Sequence, residues 1–134
     1  MKVVTQVTQS EDQLQAEFWQ WAWNTYPQFR RQMWAVPNGS NRNPIEASRL
    51  KATGLLAGVW DLHCFNKNVY SIIEMKVPGN YLTVDRIING KKHYGQKEWG
   101  EIMAANGAIR YVCYSVDEAK TAYLNIFSPR PEAG

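Results

Sequence analysis

The stretch from Val69 to Val77 constrains this chain more than any other, because it is strongly apolar yet carries Glu74 and Lys76 two positions apart. A run rich in β-branched and aromatic residues reads as a strand with both faces in a core. Alternation puts Ile72, Glu74 and Lys76 on one face, and Ile73 and Met75 on the other. Glu-x-Lys on a strand is by itself often a solvated ion pair. The apolar flanks argue against that here, since they leave both charges half-buried. The preceding run, Val59 to Phe65, also reads as a strand, joined to the first by a tight turn around Asn66-Lys67-Asn68. Asp61 lies in it. If the turn holds an even number of residues, such as Lys67-Asn68, Asp61 faces Glu74 across the pair. A three-residue loop sets Asp61 against Ile73 instead, because a slip of one residue exchanges the faces.

The first register has a chemical consequence. Two neighbouring carboxylates repel unless a cation sits between them. Mg²⁺ takes oxygen ligands, keeps several waters and accepts phosphate oxygens to complete its octahedron. Such an ion polarises a phosphoryl oxygen and lowers the pKa of bound water. Lys76 would lie beside that water and stabilise charge developing on the phosphate. The backbone carbonyl of Met75, between Glu74 and Lys76, is a further candidate metal ligand.

Around these strands the chain reads as α-β-α-β-β-α-β-α. Ser10 and Gln13 form a capping box for a helix from Glu11 to Thr25, ended by Tyr26-Pro27. Gln32 to Val36 reads as a short strand, and 37–41 as a loop. Asn43 as N-cap and Pro44 as first residue open a second helix to about Ala52. Pro78 to Lys92 reads as a long basic loop. Tyr94 to Asn106 is the third helix, closed by Gly107. Ala108 to Tyr114 is a strand, and Ser115 with Glu118 caps a last helix to about Phe127. The tail from Ser128 is expected to fray. The 134 residues fit one domain, 1–134.

The pattern Asp61…Glu74-x-Lys76 resembles the PD-(D/E)XK nuclease superfamily, and more narrowly the small stand-alone VRR-NUC domains of phage and bacteria. The likeness runs through Pro37-Asn38-Gly39 with Arg42, Ala47, Leu50-Lys51-Ala52, Gly54, Gly58-Val59-x-Asp61-Leu62, Ile73 to Lys76, Gln96-x-x-Trp99 and Gly107. Trp60 departs from it, standing where the family has proline. The resemblance implies an α/β, restriction-endonuclease-like fold, a mixed sheet flanked by helices. It also implies Mg²⁺- or Mn²⁺-dependent cleavage, and homodimers acting on branched DNA such as four-way junctions. It assigns Gln96 a place beside Lys76 and the scissile phosphate, and Trp99 a place in the core. It asks the first helix for an acid near the metal: Glu11 matches best, Glu17 competes, and Gln15 is one turn beyond Glu11. The catalytic set is then Glu11, Asp61, Glu74, Lys76 and Gln96, with Asp61, Glu74 and Met75 on the metal.

The formal charge is only +3, so a DNA surface has to come from local clustering. Asn38, Arg42, Arg49, Lys51, Lys91 and Lys92 are the candidates, with Arg86 beside them. His63 shares the face of Asp61 but reads as structural. Cys64 and Cys113 lack metal-ligand spacing and read as free buried thiols. With no signal-peptide stretch and no apolar run of spanning length, the chain reads as cytoplasmic, without membrane contact, in a bacterial cell or phage-infected host. The first helix is apolar on two sides: Leu14, Phe18, Trp21 and Thr25 on one, Trp19, Trp23 and Tyr26 on the other. A two-fold dimer would bury the second stripe, unless the last helix or residues 26–31 cover it. Rival readings are an exonuclease or flap nuclease of the same fold, a silent DNA-binding module, and a structural subunit.

Overall fold

The computed structural model describes residues 9–37 and 43–128; Asn38, Arg42 and the tail after Ser128 lie outside them. Helix α1 spans Glu11–Thr25, opened by the Ser10–Gln13 capping box in both directions. Pro27 ends it, and Pro27–Phe29 forms one 3-10 turn. Strand β1 is Met33–Ala35. Helix α2, Pro44–Ala52, begins with the Asn43 side chain accepting from the Glu46 amide at 2.8 Å. Strands β2, Leu62–Asn66, and β3, Val69–Met75, form an antiparallel hairpin. Lys67 and Asn68 make its turn, with φ of 49° and 65°. Two left-handed residues give a turn whose twist matches that of the flanking strands.

The segment expected to be a long basic loop contains a second hairpin. Strand β4, Arg86–Ile88, pairs with β5, Lys91–His93, and neither joins the main sheet. Asn89 and Gly90 turn it, with φ of 50° and 76°. An Asn-Gly pair between β-formers is a strong local hairpin signal, and it prevails over the surrounding loop composition. Helix α3, Gln96–Ala105, starts from Gly95, and Gly107 follows its end with φ of 100°. Strand β6, Ile109–Cys113, lies parallel to β3. Helix α4, Val116–Phe127, is capped by Ser115. The main sheet runs β1-β2-β3-β6, a mixed α/β arrangement.

Helices α1 and α4 cover one face of the sheet. Leu14, Phe18, Ala22, Ala119, Ala122, Tyr123 and Phe127 close on Leu62, Cys64, Ile73 and Met75. Helix α3 covers the other, where Trp99 packs on His63 and on Trp60 with ring centroids 5.6 and 6.4 Å apart. Trp99 is half-buried there. Both cysteines are free and buried, with burial pushing each thiol up to about 12.

On α1 the buried row is Leu14, Phe18 and Ala22, while Trp21 is half-buried and Thr25 exposed. Thr25 therefore leaves the expected core face, where Ala22 takes its place. The second aromatic stripe is covered in part within the chain. Tyr26 packs on Tyr123 of α4, and the Arg30 guanidinium lies 4.6 Å over the Trp23 ring while its Nε donates to the Trp23 carbonyl. Trp23 stays 43% exposed. Among the described residues no helix is long and apolar enough to cross a membrane.

Trp60, 1% exposed, locks α3 to the sheet: its indole N–H donates to the Gln96 carbonyl at 2.9 Å. A Cβ on Gly100 would lie 2.6 Å from the Trp60 ring. In an exposed helix interior, Gly→Ala gains up to about 1 kcal/mol. Overpacking against a fixed ring costs about 1–3 kcal/mol, and here that is the larger effect. Gly100→Ala should therefore lower stability in denaturant unfolding. A raised midpoint would show that the Trp60 ring yields freely.

Candidate metal and phosphate site

The register Leu62↔Ile73 and His63↔Ile72, carried one pair further, sets Asp61 opposite Glu74. The Asp61 carbonyl accepts from Val36 at 2.8 Å, so backbone pairing with the β1 strand continues to this point although β2 begins at Leu62. Glu74 is 1% exposed. Its Oε2 accepts from the Asp61 amide at 3.1 Å, and its Oε1 accepts from Gln96 Nε2 at 2.9 Å. The bond from the Asp61 amide to Glu74 brings the two carboxyl groups within electrostatic reach of each other. Burial first, and the Asp61 charge second, push Glu74 up to about 9. Asp61, half-buried, is also raised, chiefly by burial. Burying two acids side by side disfavours the charged form of each.

Lys76 follows on the same face of β3. It is buried, and its charge opposes these shifts on both acids. Its amide donates to Cys113 at 2.9 Å, which holds the backbone beside Glu74 in the sheet. The Met75 side chain belongs to the core on the opposite face, so only its backbone carbonyl is available as a ligand.

Gln96 is the first residue of α3. Its side-chain oxygen accepts from the Thr83 amide at 3.2 Å, while Thr83 Oγ1 accepts from the Gln96 amide at 3.0 Å. One end of the side-chain amide therefore needs a donor and the other an acceptor, and the group can point only one way. Asp85 braces the same turn, accepting from Gly95 at 2.7 Å and donating its own amide to Glu98 at 2.8 Å. None of Thr83, Asp85 or Trp60 stands out in the sequence as part of the site. Thr83 and Asp85 fall in a stretch that reads as a long basic loop, and Trp60 is an apolar residue with no chemistry of its own.

A cavity of about 260 Å³ opens onto the pair, lined by Glu11, Lys51, Asp61, Glu74 and Gln96 together with residues 55–59 and Pro37. Glu11, first in α1, accepts from Asn80 Nδ2 at 3.1 Å, and its charge raises Asp61. Glu17 is exposed, receives a bond from Gln9 and does not line this cavity; neither does Gln15. Arg49 is exposed on α2 beside Lys51. Lys91 and Lys92 stand apart on β5, where Lys92 lies 3.9 Å from Asp85 and over the Tyr94 ring. His63 is buried with both ring nitrogens engaged, one by the Tyr70 hydroxyl and one by the Trp60 carbonyl at 2.9 Å. Burial lowers its pKa. A larger depression of about 500 Å³ between β6 and α4 carries Asp117 and Glu118. These are first-turn residues of α4, where the helix dipole favours acids.

Among the described residues no three His, Cys, Asp or Glu side chains converge closely enough to hold a metal ion by themselves. The donor set is two carboxylates and a carbonyl, all hard oxygen ligands. That set fits a cation that keeps water and takes substrate oxygens, as Mg²⁺ does, and does not suit a closed zinc site. No known protein family, characterised protein or solved structure matched the chain.

The acid pair makes stability depend on pH when no divalent cation is present. Folded Glu74 keeps its proton up to about 9, whereas its ordinary value is 4.5. Between those values the folded state binds more protons than the unfolded one, so stability falls as pH rises through the window. Thermal melts in chelator should show that decline, and Glu74→Gln should flatten it and raise the melting temperature at the alkaline end. Parallel profiles for parent and variant would show that Glu74 does not hold a proton in the fold.

Proposed function

We propose that this chain is a Mg²⁺- or Mn²⁺-dependent DNA nuclease of the PD-(D/E)XK type, similar to the VRR-NUC domains. The observation that carries this reading is Asp61 facing a buried Glu74 at the floor of a cavity, with Gln96 bonded to Glu74 and Lys76 next along the strand. Asp61, Glu74 and the Met75 carbonyl would hold the cation, and Glu11 would bond its waters from the rim. Once bound, the cation supplies Lewis acidity to the phosphoryl oxygen and to water. Lys76 holds the attacking water in place and stabilises charge on the phosphate. Gln96 keeps Glu74 pointed at the cavity. Arg49, Lys51, Lys91 and Lys92 neutralise backbone phosphates, joined by Arg42, and the Asn38 amide adds a neutral hydrogen-bond donor.

The preferred substrate is branched DNA such as a four-way junction, cut by a homodimer in the cytoplasm of a bacterial cell or a phage-infected host. The exposed edge of Trp23 is the part of the first helix left for a second copy. Four-way, flap, nicked and linear DNA incubated with Mg²⁺ or Mn²⁺ should be cut to 5′-phosphate products, and a chelator should stop cleavage. Asp61→Asn, Glu74→Gln and Lys76→Ala should each lose activity by about a hundredfold or more while staying folded. A folded Glu74→Gln protein cutting at the parental rate would falsify the assignment.

DNA affinity is expected to follow the phosphate backbone more than the bases. Charge removal at Arg49 or Lys51 should weaken binding across sequences and reduce the salt slope by roughly one unit for each phosphate left without its cation. Affinity that ignores salt, or that follows one base pair, would contradict this placement.

A further inference from the structure

The β4–β5 ribbon is the least explained part of the molecule. It pairs with no strand of the main sheet, and an isolated two-stranded hairpin is marginal in water. It is held at its root, where Asp85 and Thr83 bond to Gly95, Gln96 and Glu98 at the start of α3. Gln96 in turn bonds Glu74. The ribbon is thus mounted on the same helix end that completes the acid pair. Its outer part carries Ile87, 76% exposed, directly opposite Lys92, with Ile88 opposite Lys91 and Arg86 opposite His93. Ile87 and Ile88 leave apolar surface on a hairpin that pairs with no other strand, and unpaired strand edges invite a partner.

Charge identifies the occupant. Residues 86–93 contain Arg86, Lys91 and Lys92 and no acid. A second copy placed by two-fold symmetry would set these cations against themselves. A nucleic-acid backbone would complement them. We propose, building on the nuclease reading, that the ribbon enters an interrupted base stack edge-on, with Ile87 on one face packing against an unstacked base while Arg86 and Lys91 on the other face meet the backbone of the facing strand. Apolar side chains inserted between base steps must overcome stacking. At a branch point that stacking has already been lost. The wedge therefore favours branched over continuous duplex, and the root bonds tie the ribbon to the helix end that carries Gln96.

The test uses the full chain in chelator, so that binding is read without cleavage. The probes are a four-way junction with 2-aminopurine at its branch and a linear duplex of the same sequence. Ile87→Thr keeps a β-forming residue at an exposed site, and a melting curve checks the fold. The expected result is a junction affinity lowered about tenfold or more, the scale of losing one buried isoleucine. Linear affinity should stay within about twofold, and the 2-aminopurine signal seen with the parent should vanish. Lys91→Ala should weaken both substrates alike. The wedge is overturned if Ile87→Thr keeps the parental junction preference and fluorescence, or if it changes the mass of the DNA-free protein, which assigns the face to a second copy. A parent that cleaves DNA while Ile87→Thr keeps its preference loses only the wedge. A parent that neither binds nor cuts DNA loses the nuclease reading as well.

Discussion

The two-residue turn at Lys67-Asn68 decides what this protein can do. With both residues left-handed, β2 and β3 meet in the register Asn66↔Val69, and every later pair follows from it. One residue more would rotate Asp61 away from Glu74 and set it against Ile73 on the core face. The same register puts Leu62, Cys64, Ile73 and Met75 together under α1 and α4. Core and site are therefore two faces of a single decision. A slip that spoils the acid pair also turns the apolar set toward α3, so the packing of the first face fixes the arrangement of the second.

That coupling matters because the acid pair opposes folding. A carboxyl at 1% exposure beside another acid is held by two hydrogen bonds and by the proton it retains. Apolar packing on the other face keeps the pair in place against its own repulsion. The helices add the remaining groups from both sides of the sheet. Glu11 arrives from the start of α1 and Gln96 from the start of α3, so residues distant in sequence converge by helix placement alone.

Much of this is legible in the sequence where local chemistry decides. The Ser10–Gln13 box, Asn43-Pro44, Ser115 and Gly107 mark helix ends that the structure repeats closely, because caps act over three or four residues. Glu74 and Lys76 share a face because alternation is rigid, whereas Asp61 joins them only in the two-residue register, between which and a three-residue loop the sequence does not choose. The β4–β5 ribbon escapes a reading by pattern although Asn89-Gly90 signals it, since three-residue strands are too short to show alternation and the surrounding residues look like loop. Thr83, Asp85 and Trp60 are illegible for a different reason. Their roles are bonds to α3 thirteen to thirty-six positions away, across a span that no local pattern encodes.

Trp60 shows how such bonds set the geometry of the candidate site without lining it. A proline before Asp61 would stiffen the backbone leading into the site. A tryptophan there stiffens it by another route: its ring is buried, its N–H bonds the Gln96 carbonyl, and α3 accommodates it with Gly100. The residue that positions Asp61 in sequence thereby also anchors Gln96 in space. Glu74 receives a bond from each of these neighbours, so the indole ties together the two groups that hold the buried carboxylate. The constraint lies in the packing of two elements, not in the φ angle of one residue. Such a constraint depends on α3 staying docked, which makes the integrity of the site a property of the tertiary fold more than of the strand that carries its acids.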